Sequence, residues 1–209
     1  MYTPRSFRIE HLPTLHALIR DLSFGVLVSA DGSSPVATHL PFMVDPDRGP
    51  LGTLIAHMAR ANRHWQSWTE ETRVLTIFQG PHAYVSPGWY ENQQTVPTWN
   101  HATVHAYGTP YLIREPSALR PMVEKLVDMH ESHADSGWDR SMMKPEMATE
   151  LQAIVGFEIP IDSIEGQFKF NQNRSREDQE GVAAVLEGSK LDLERETAKI
   201  MRRNMNDAS

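Results

Sequence analysis

Residues 96–108, VPTWNHATVHAYG, gather aromatic and hydrogen-bonding side chains in one short stretch. Side chains of an extended chain alternate between faces. Trp99, His101, Thr103, His105 and Tyr107 therefore share one face, and Asn100, Ala102, Val104, Ala106 and Gly108 share the other. The first face is large and amphipathic and suits a flat ligand or a second subunit. The second is small and lets another layer approach closely. A sandwich strand with a wet outer face would read the same way, and parity alone leaves both open.

Two other stretches carry donors. AHMARANRHW (56–65) runs from a strand into a helix expected to be capped by Asn62, with Arg60 and Arg63 beside its free N–H groups. A helix start with arginine is a natural phosphate site, although arginine near helix starts is also ordinary. KFNQNRSRED follows a strand and offers Lys169, Asn171, Gln172, Asn173 and Arg174. These could bond the carbonyls of a heterocycle, or form a turn in which Asn tolerates left-handed backbone.

Ten histidines raise the question of a metal. His101 and His105 lie roughly 13 Å apart along a strand, too far for one ion. HESH (130–133) spaces its histidines i, i+3 where the zinc-binding helix motif needs i, i+4, and an exposed helix face explains it. His11, His16 and His64 have no ligand spacing, so no metal is expected. Cysteine is absent, which removes disulfides, thiolate chemistry and cysteine-ligated clusters. No Gly-x-Ser-x-Gly supports a serine hydrolase, and the glycine-rich nucleotide motifs are missing.

The elements that must position these residues are mostly strands. A helix is expected over 11–22, then strands over 24–30, 35–44 and 52–58, split by DGSS and DPDRGPL. ANRHWQSWTEE reads as a helix with Trp65 and Trp68 on one face. Strands follow at 73–80, 83–86 and 96–108, the last extended by TPYLI (109–113), then helices at 117–133 and 145–153 and a last strand at 155–170. Five or six strands joined by tight turns point to a closed or nearly closed antiparallel barrel with peripheral helices, an α+β class that is mainly β. The tail from Arg176 is charged and helical in pattern, broken near Gly188.

At 209 residues, 40% hydrophobic and 22% charged, the chain has the make-up of a globular domain with appendages. Residues 1–175 are read as the domain and 176–209 as a helical tail. No signal peptide or membrane span is read at the N-terminus, so a cytoplasmic location and no membrane partner are expected. Twenty basic residues against 27 acidic give a formal charge of −7, which suits a polyanion poorly. KIMRRN, with Lys199, Arg202 and Arg203, reads as a cationic last helical turn.

ATHLP (37–41), HMARAN (57–62), FQGPHAYVSPGWY (78–90), VPTWNHATVHAYG (96–108) and GFEIPIDSIEGQFKFNQNR (156–174) together resemble the PaiB family, described as FMN-binding negative transcriptional regulators. The resemblance runs in order from Met1 to about Arg174. It implies an FMN-binding split β-barrel, related to pyridoxine-phosphate oxidases, that forms a homodimer with the flat cofactor at the subunit interface. By that resemblance Thr38, His39 and Leu40 would lie along the flavin ring, and His57, Arg60 and Asn62 would hold the phosphate. Trp99, Asn100 and Thr103 of the partner subunit would close over the ring, and Lys169 and Arg174 would complete the pocket. Arg63 stands where the family more often has Pro, and His101 where it has Tyr, so the ring contacts depart further from the pattern than the phosphate contacts.

The resemblance puts a flavin-binding negative transcriptional regulator of PaiB type first; the alternatives are a flavin-dependent oxidoreductase, such as a flavin reductase or a pyridoxine-phosphate oxidase-like enzyme, and, last, a haem-binding split barrel with His39, His82 or His101 as axial ligand. No helix-turn-helix pattern accompanies the acidic balance, so direct DNA binding is not expected. No general acid or base stands out either, and flavin chemistry often needs none, because the cofactor carries it.

Overall fold

Apolar alternation and turn residues set the elements of this computed structural model, which describes residues 1–30, 34–134, 136–138, 140–142 and 147–207. In chain order they are β1 (Arg8–Ile9), α1 (Leu12–Leu22), β2 (Phe24–Ala30), β3 (Pro35–Pro41), β4 (Met43–Asp45), β5 (Thr53–Ala59) and β6 (Val74–Val85). Then come β7 (Thr98–Gly108), β8 (Tyr111–Ile113), α2 (Pro116–Ala134), α3 (Met147–Gln152), β9 (Ile154–Lys169), α4 (Arg176–Glu187) and α5 (Asp192–Asp207). Among the described residues the nine strands form one sheet, ordered β3-β2-β6-β7-β9-β5-β4, with β1 and β8 also on β9.

Several boundaries differ from the sequence expectation. β6 is one strand through Gly80-Pro81, because the fixed φ of proline is compatible with extended backbone. The expected 35–44 strand breaks at Phe42, whose N–H donates to Ser23 O at 2.7 Å and whose ring is fully buried. TPYLI does not extend β7 but gives the short β8 on β9. The helix expected from Asn62 is a single 3-10 turn, His64–Ser67. The DGSS turn, apart from Ser34, and the start of the helix expected at Pro145 lie outside the described residues.

The chain divides into two units. The first comprises Met1–Leu18, Phe78–His105 and Glu165–Ser209. Its core holds Val85, Tyr90, Ala102 and Phe170 together with Val182, Leu186, Met201 and Met205 from α4 and α5. The charged C-terminal segment thus hides an apolar stripe, and each such side chain contributes roughly 1.5–3 kcal/mol on burial. Ser175 caps α4 by accepting from Asp178 N at 3.1 Å, and Gly188 ends it. Helix α5 runs on to Asp207, so Lys199, Arg202 and Arg203 are not its last turn.

The second unit comprises Ile19–Ile77 and Ala106–Ile164. Here β2 pairs antiparallel with β3 and β6, and β5 with β4 and β9. Ser23, at φ 46°, reverses the chain between α1 and β2. Phe157 meets Phe42 and Trp68 edge-on, at centroid distances of 6.3 and 5.1 Å. Ile55, Leu119, Met122 and Leu151 seat α2 and α3. At the end of β7, Gly108 lies so near β9 that a Cβ there would stand 2.2 Å from Pro160 O.

Two substitutions test this packing. Thr76 is fully buried and its Oγ1 has no hydrogen-bond partner. Replacing it with the isosteric valine should therefore raise unfolding stability by about 1 kcal/mol. Gly108→Ala should lower it by roughly 2–3 kcal/mol, because backbone must move to admit the methyl group. Urea midpoints of both variants check this, and an unchanged Gly108→Ala midpoint would contradict the close approach.

Candidate functional site

The residues that the sequence nominated fall into both units. Thr38, His39, Leu40, His57, Arg60 and Asn62 belong to the second, and Trp99, Asn100, Thr103, Lys169 and Arg174 to the first. In the second unit the strand period divides the ATHLP residues. Thr38 is half-buried and Leu40 buried on one face of β3, whereas His39 is exposed on the other, its ring stacked 6.4 Å from that of Phe24. β3 ends the sheet order, so one edge of its backbone carries no partner strand among the described residues.

Asn62 and Thr38 meet in a polar corner. Asn62 Nδ2 donates to Thr38 Oγ1 at 3.3 Å, and Asn62 Oδ1 accepts from His64 N at 3.0 Å. The His64 ring then joins two hydroxyls, with Nδ1 2.8 Å from Thr38 Oγ1 and Nε2 2.8 Å from Ser29 Oγ. The spacing of His64 in the sequence carries no ligand signal, and Ser29 carries none either. Both are almost completely buried. The only sequence signal for His64 was its place just after HMARAN; a serine in mid-strand gives none.

Arg60 is more engaged than its position suggested. Its Nε and Nη2 donate to Gln152 O (2.8 Å) and Ile154 O (2.9 Å), and its own N–H to Ala153 O (2.7 Å). It therefore ties the end of α3 to β5, and only part of its guanidinium remains for an anion. Arg63, next along, is exposed. His57 lines an apolar cavity of about 460 Å³ with Pro41, Val123, Leu126, Val127, His130, Glu131 and Trp138. That volume lies within the usual range for a small-molecule site, roughly 300–1,000 Å³. His57 Nδ1 is buried with no hydrogen-bond partner.

The two faces of β7, whose residues up to His105 belong to the first unit and from Ala106 to the second, behave as their parity required. Asn100, Ala102, Val104, Ala106 and Gly108 are buried along the strand, while the odd positions are partly exposed. Trp99 is 54% exposed, with the rings of His82 and Tyr84 at 6.3 and 5.9 Å. Asn100, expected at the flavin, points inward, where its Nδ2 donates to Met201 Sδ at 3.4 Å. Thr103 is half-buried on the odd face.

KFNQNR is bonded within its own unit. Lys169 Nζ donates to Thr98 Oγ1 and lies 5.8 Å from the Phe7 ring, and burial holds its amine below the ordinary lysine range. Arg174 donates to Thr95 Oγ1 at 2.8 Å and covers the Tyr90 ring at 5.0 Å. Asn171 adopts φ 61° and donates to the Tyr90 hydroxyl at 3.1 Å, which is the left-handed turn rather than an array of free donors. His130 faces the cavity, while the side chain of His133 is outside the described residues. Among the described residues no three His, Asp or Glu are grouped to hold a metal, and no helix is long and apolar enough to cross a membrane.

Comparison with known proteins gives these residues a context. Residues 1–163 match the family described as "Putative FMN-binding domain". The chain is similar to the protease synthase and sporulation protein PAI 2 of Bacillus subtilis, 31% identical over 204 residues, 96% of each chain. It is also similar to an uncharacterised Saccharomyces cerevisiae protein, YKL070W, 33% identical over 160 residues, which are 66% of this chain and 94% of that one. Two solved structures share the fold at 14% identity. The flavocytochrome Anf3 of Azotobacter vinelandii aligns with a TM-score of 0.66 over 85% of this chain and 77% of that one. The FAD and heme binding protein of Mycobacterium smegmatis aligns with 0.62 over 85% and 79%. The resemblance to PaiB proteins and the split-barrel α+β class both hold.

Burial holds the imidazoles of His57 and His105 below the usual histidine range. In the unfolded chain a histidine takes its proton near pH 6.5. Below that pH the unfolded state binds more protons than the folded one, so stability falls as pH drops through about 6.5 towards the folded values. Melting temperature should decline from pH 7 to 5, and His57→Gln should make that decline shallower. An equal slope in the variant would remove His57 from this account.

Proposed function

Since the chain belongs to the FMN-binding domain family, we propose that it is a flavin-dependent oxidoreductase, working through bound FMN rather than through a grip on DNA. The match of residues 1–163 to the FMN-binding family carries the flavin part of this reading, and the C-terminal basic residues bear on the DNA part. Arg195 binds Asp192, Lys199 binds Glu196 at 2.6 Å, and Arg202 forks onto Glu187 at 2.7 and 2.9 Å. Cations paired with neighbouring carboxylates offer little to a phosphate backbone.

The donors of the second unit fit FMN. Asn62, Thr38, the remaining N–H groups of Arg60 and the exposed Arg63 supply cations and neutral donors suited to a phosphate. The open edge of β3 supplies backbone groups for the polar rim of the ring system, and His57 would serve on the phosphate side or against the ring. When bound, FMN supplies hydride or single-electron transfer. The chain's own part is to bind, orient and shield it. Trp99 and Thr103 on the exposed face of β7 are proposed to come from the partner of a homodimer and to cover the ring, with Lys169 and Arg174 bracing that wall.

A second reading, a negative regulator of transcription like the PaiB family, is favoured by the match to PAI 2 along nearly the whole chain, through α4 into α5. In that case the flavin or a metabolite would act through a partner protein. A haem-binding barrel remains a third spectroscopic outcome.

The absorption spectrum of purified protein after FMN addition should show flavin bands and no Soret band. Asn62→Ala should weaken FMN binding about tenfold or more, read by flavin fluorescence. NAD(P)H should bleach the bound flavin, light scattering should give a dimer, and DNA should not shift at physiological salt. A sequence-specific shift at nanomolar protein without flavin bleaching would replace the oxidoreductase with the regulator.

A further inference from the structure

We infer that Ser29 and His64 form a proton-ordered relay behind the Thr38–Asn62 corner, making both residues donors and so selecting a phosphorylated flavin over its dephosphorylated form. This rests on the reading that the corner holds the flavin phosphate.

The proton count starts from a group that has no choice. The backbone N–H of His64 can only donate, and it does so to Asn62 Oδ1 at 3.0 Å. That fixes the amide, so Nδ2 is the atom facing Thr38 Oγ1 at 3.3 Å, and one further N–H of Asn62 is left over. Thr38 Oγ1 has now spent one of its two lone pairs. At His64 Nδ1, 2.8 Å away, it either gives up its own proton or accepts the ring's with its second lone pair.

Ser29 decides between these. The residue is 4% exposed, and its hydrogen-bond partner among the described residues is His64 Nε2 at 2.8 Å. If Nε2 carried the proton, the Ser29 O–H would be buried with no acceptor, a costly arrangement. The serine therefore donates to a bare Nε2, the ring proton sits on Nδ1, and Nδ1–H donates to Thr38. Thr38 keeps its own proton. The corner then presents a hydroxyl and an amide N–H, with no acceptor aimed outward, which suits an anion.

The ring proton can be located directly. Long-range proton–nitrogen correlation spectra of the nitrogen-15-labelled protein, with His64 assigned by its loss in His64→Gln, should show protonated Nδ1 and bare Nε2. The ratio of the dissociation constants for riboflavin and FMN gives the second readout. Loss of fold weakens both flavins alike, whereas loss of the relay narrows the ratio. Ser29→Ala and Thr38→Val should each narrow it by about tenfold, the worth of one hydrogen bond to a charged group, and Ser29→Thr should restore it. A protonated Nε2, or an unchanged ratio in Ser29→Ala where Thr38→Val narrows it, overturns the relay. If Thr38→Val also leaves the ratio unchanged, the phosphate reading has failed and selection falls with it, while the measured tautomer still decides whether the relay exists.

Discussion

Strand β7 lies between β6 and β9 in the sheet order, and its buried face carries Asn100, Val104 and the small residues Ala102, Ala106 and Gly108. At Gly108 even a methyl group would strike the carbonyl of Pro160. Interiors pack as densely as organic crystals, so this clearance is a fixed dimension, and volume added here displaces backbone. The small face in turn forces the bulk of the strand outward. Trp99, His101, Thr103, His105 and Tyr107 occupy the opposite side because no other is open to them.

Around that sheet the chemistry depends on hydrogen bonds that the backbone dictates. Arg60 follows directly on β5, and its N–H carries the β5–β9 pairing one step further, to Ala153 O. Its guanidinium meets the backbone carbonyls of Gln152 and Ile154, which take two of its donors, before the 3-10 turn at His64–Ser67 begins. The same turn puts His64 under β3, where its ring bridges Ser29 and Thr38. Buried polar groups are mostly paired, and these contacts set which donors the corner has left.

Sequence relatives and structural neighbours constrain different things. Identity of 31% along 96% of the chain carries the family and extends through α4 into α5, beyond the family model's last matched residue, 163. At 14% identity the flavin- and haem-associated neighbours share the architecture alone. The two helices beyond the family match nevertheless supply Val182, Leu186, Met201 and Met205 to the core of the first unit, so they are structural parts of it.

The sequence by itself determined what depends on periodicity and on local turns. The two faces of β7, the bounds of β2, α1, α2 and β9 within a residue or two, and the family to which the chain belongs were all legible in it, because alternation, capping and motif order are local properties. Only the tertiary structure decided what each polar atom touches. Nothing in the spacing of Ser29, Thr38 and His64 announces that three residues up to 35 positions apart share two 2.8 Å contacts. Nor does sequence show that Asn100 turns to Met201 or that Asn171 closes a left-handed turn on Tyr90. A hydrogen bond is set by the position and direction of two atoms, and for residues far apart in the chain those are fixed only when the sheet brings them together.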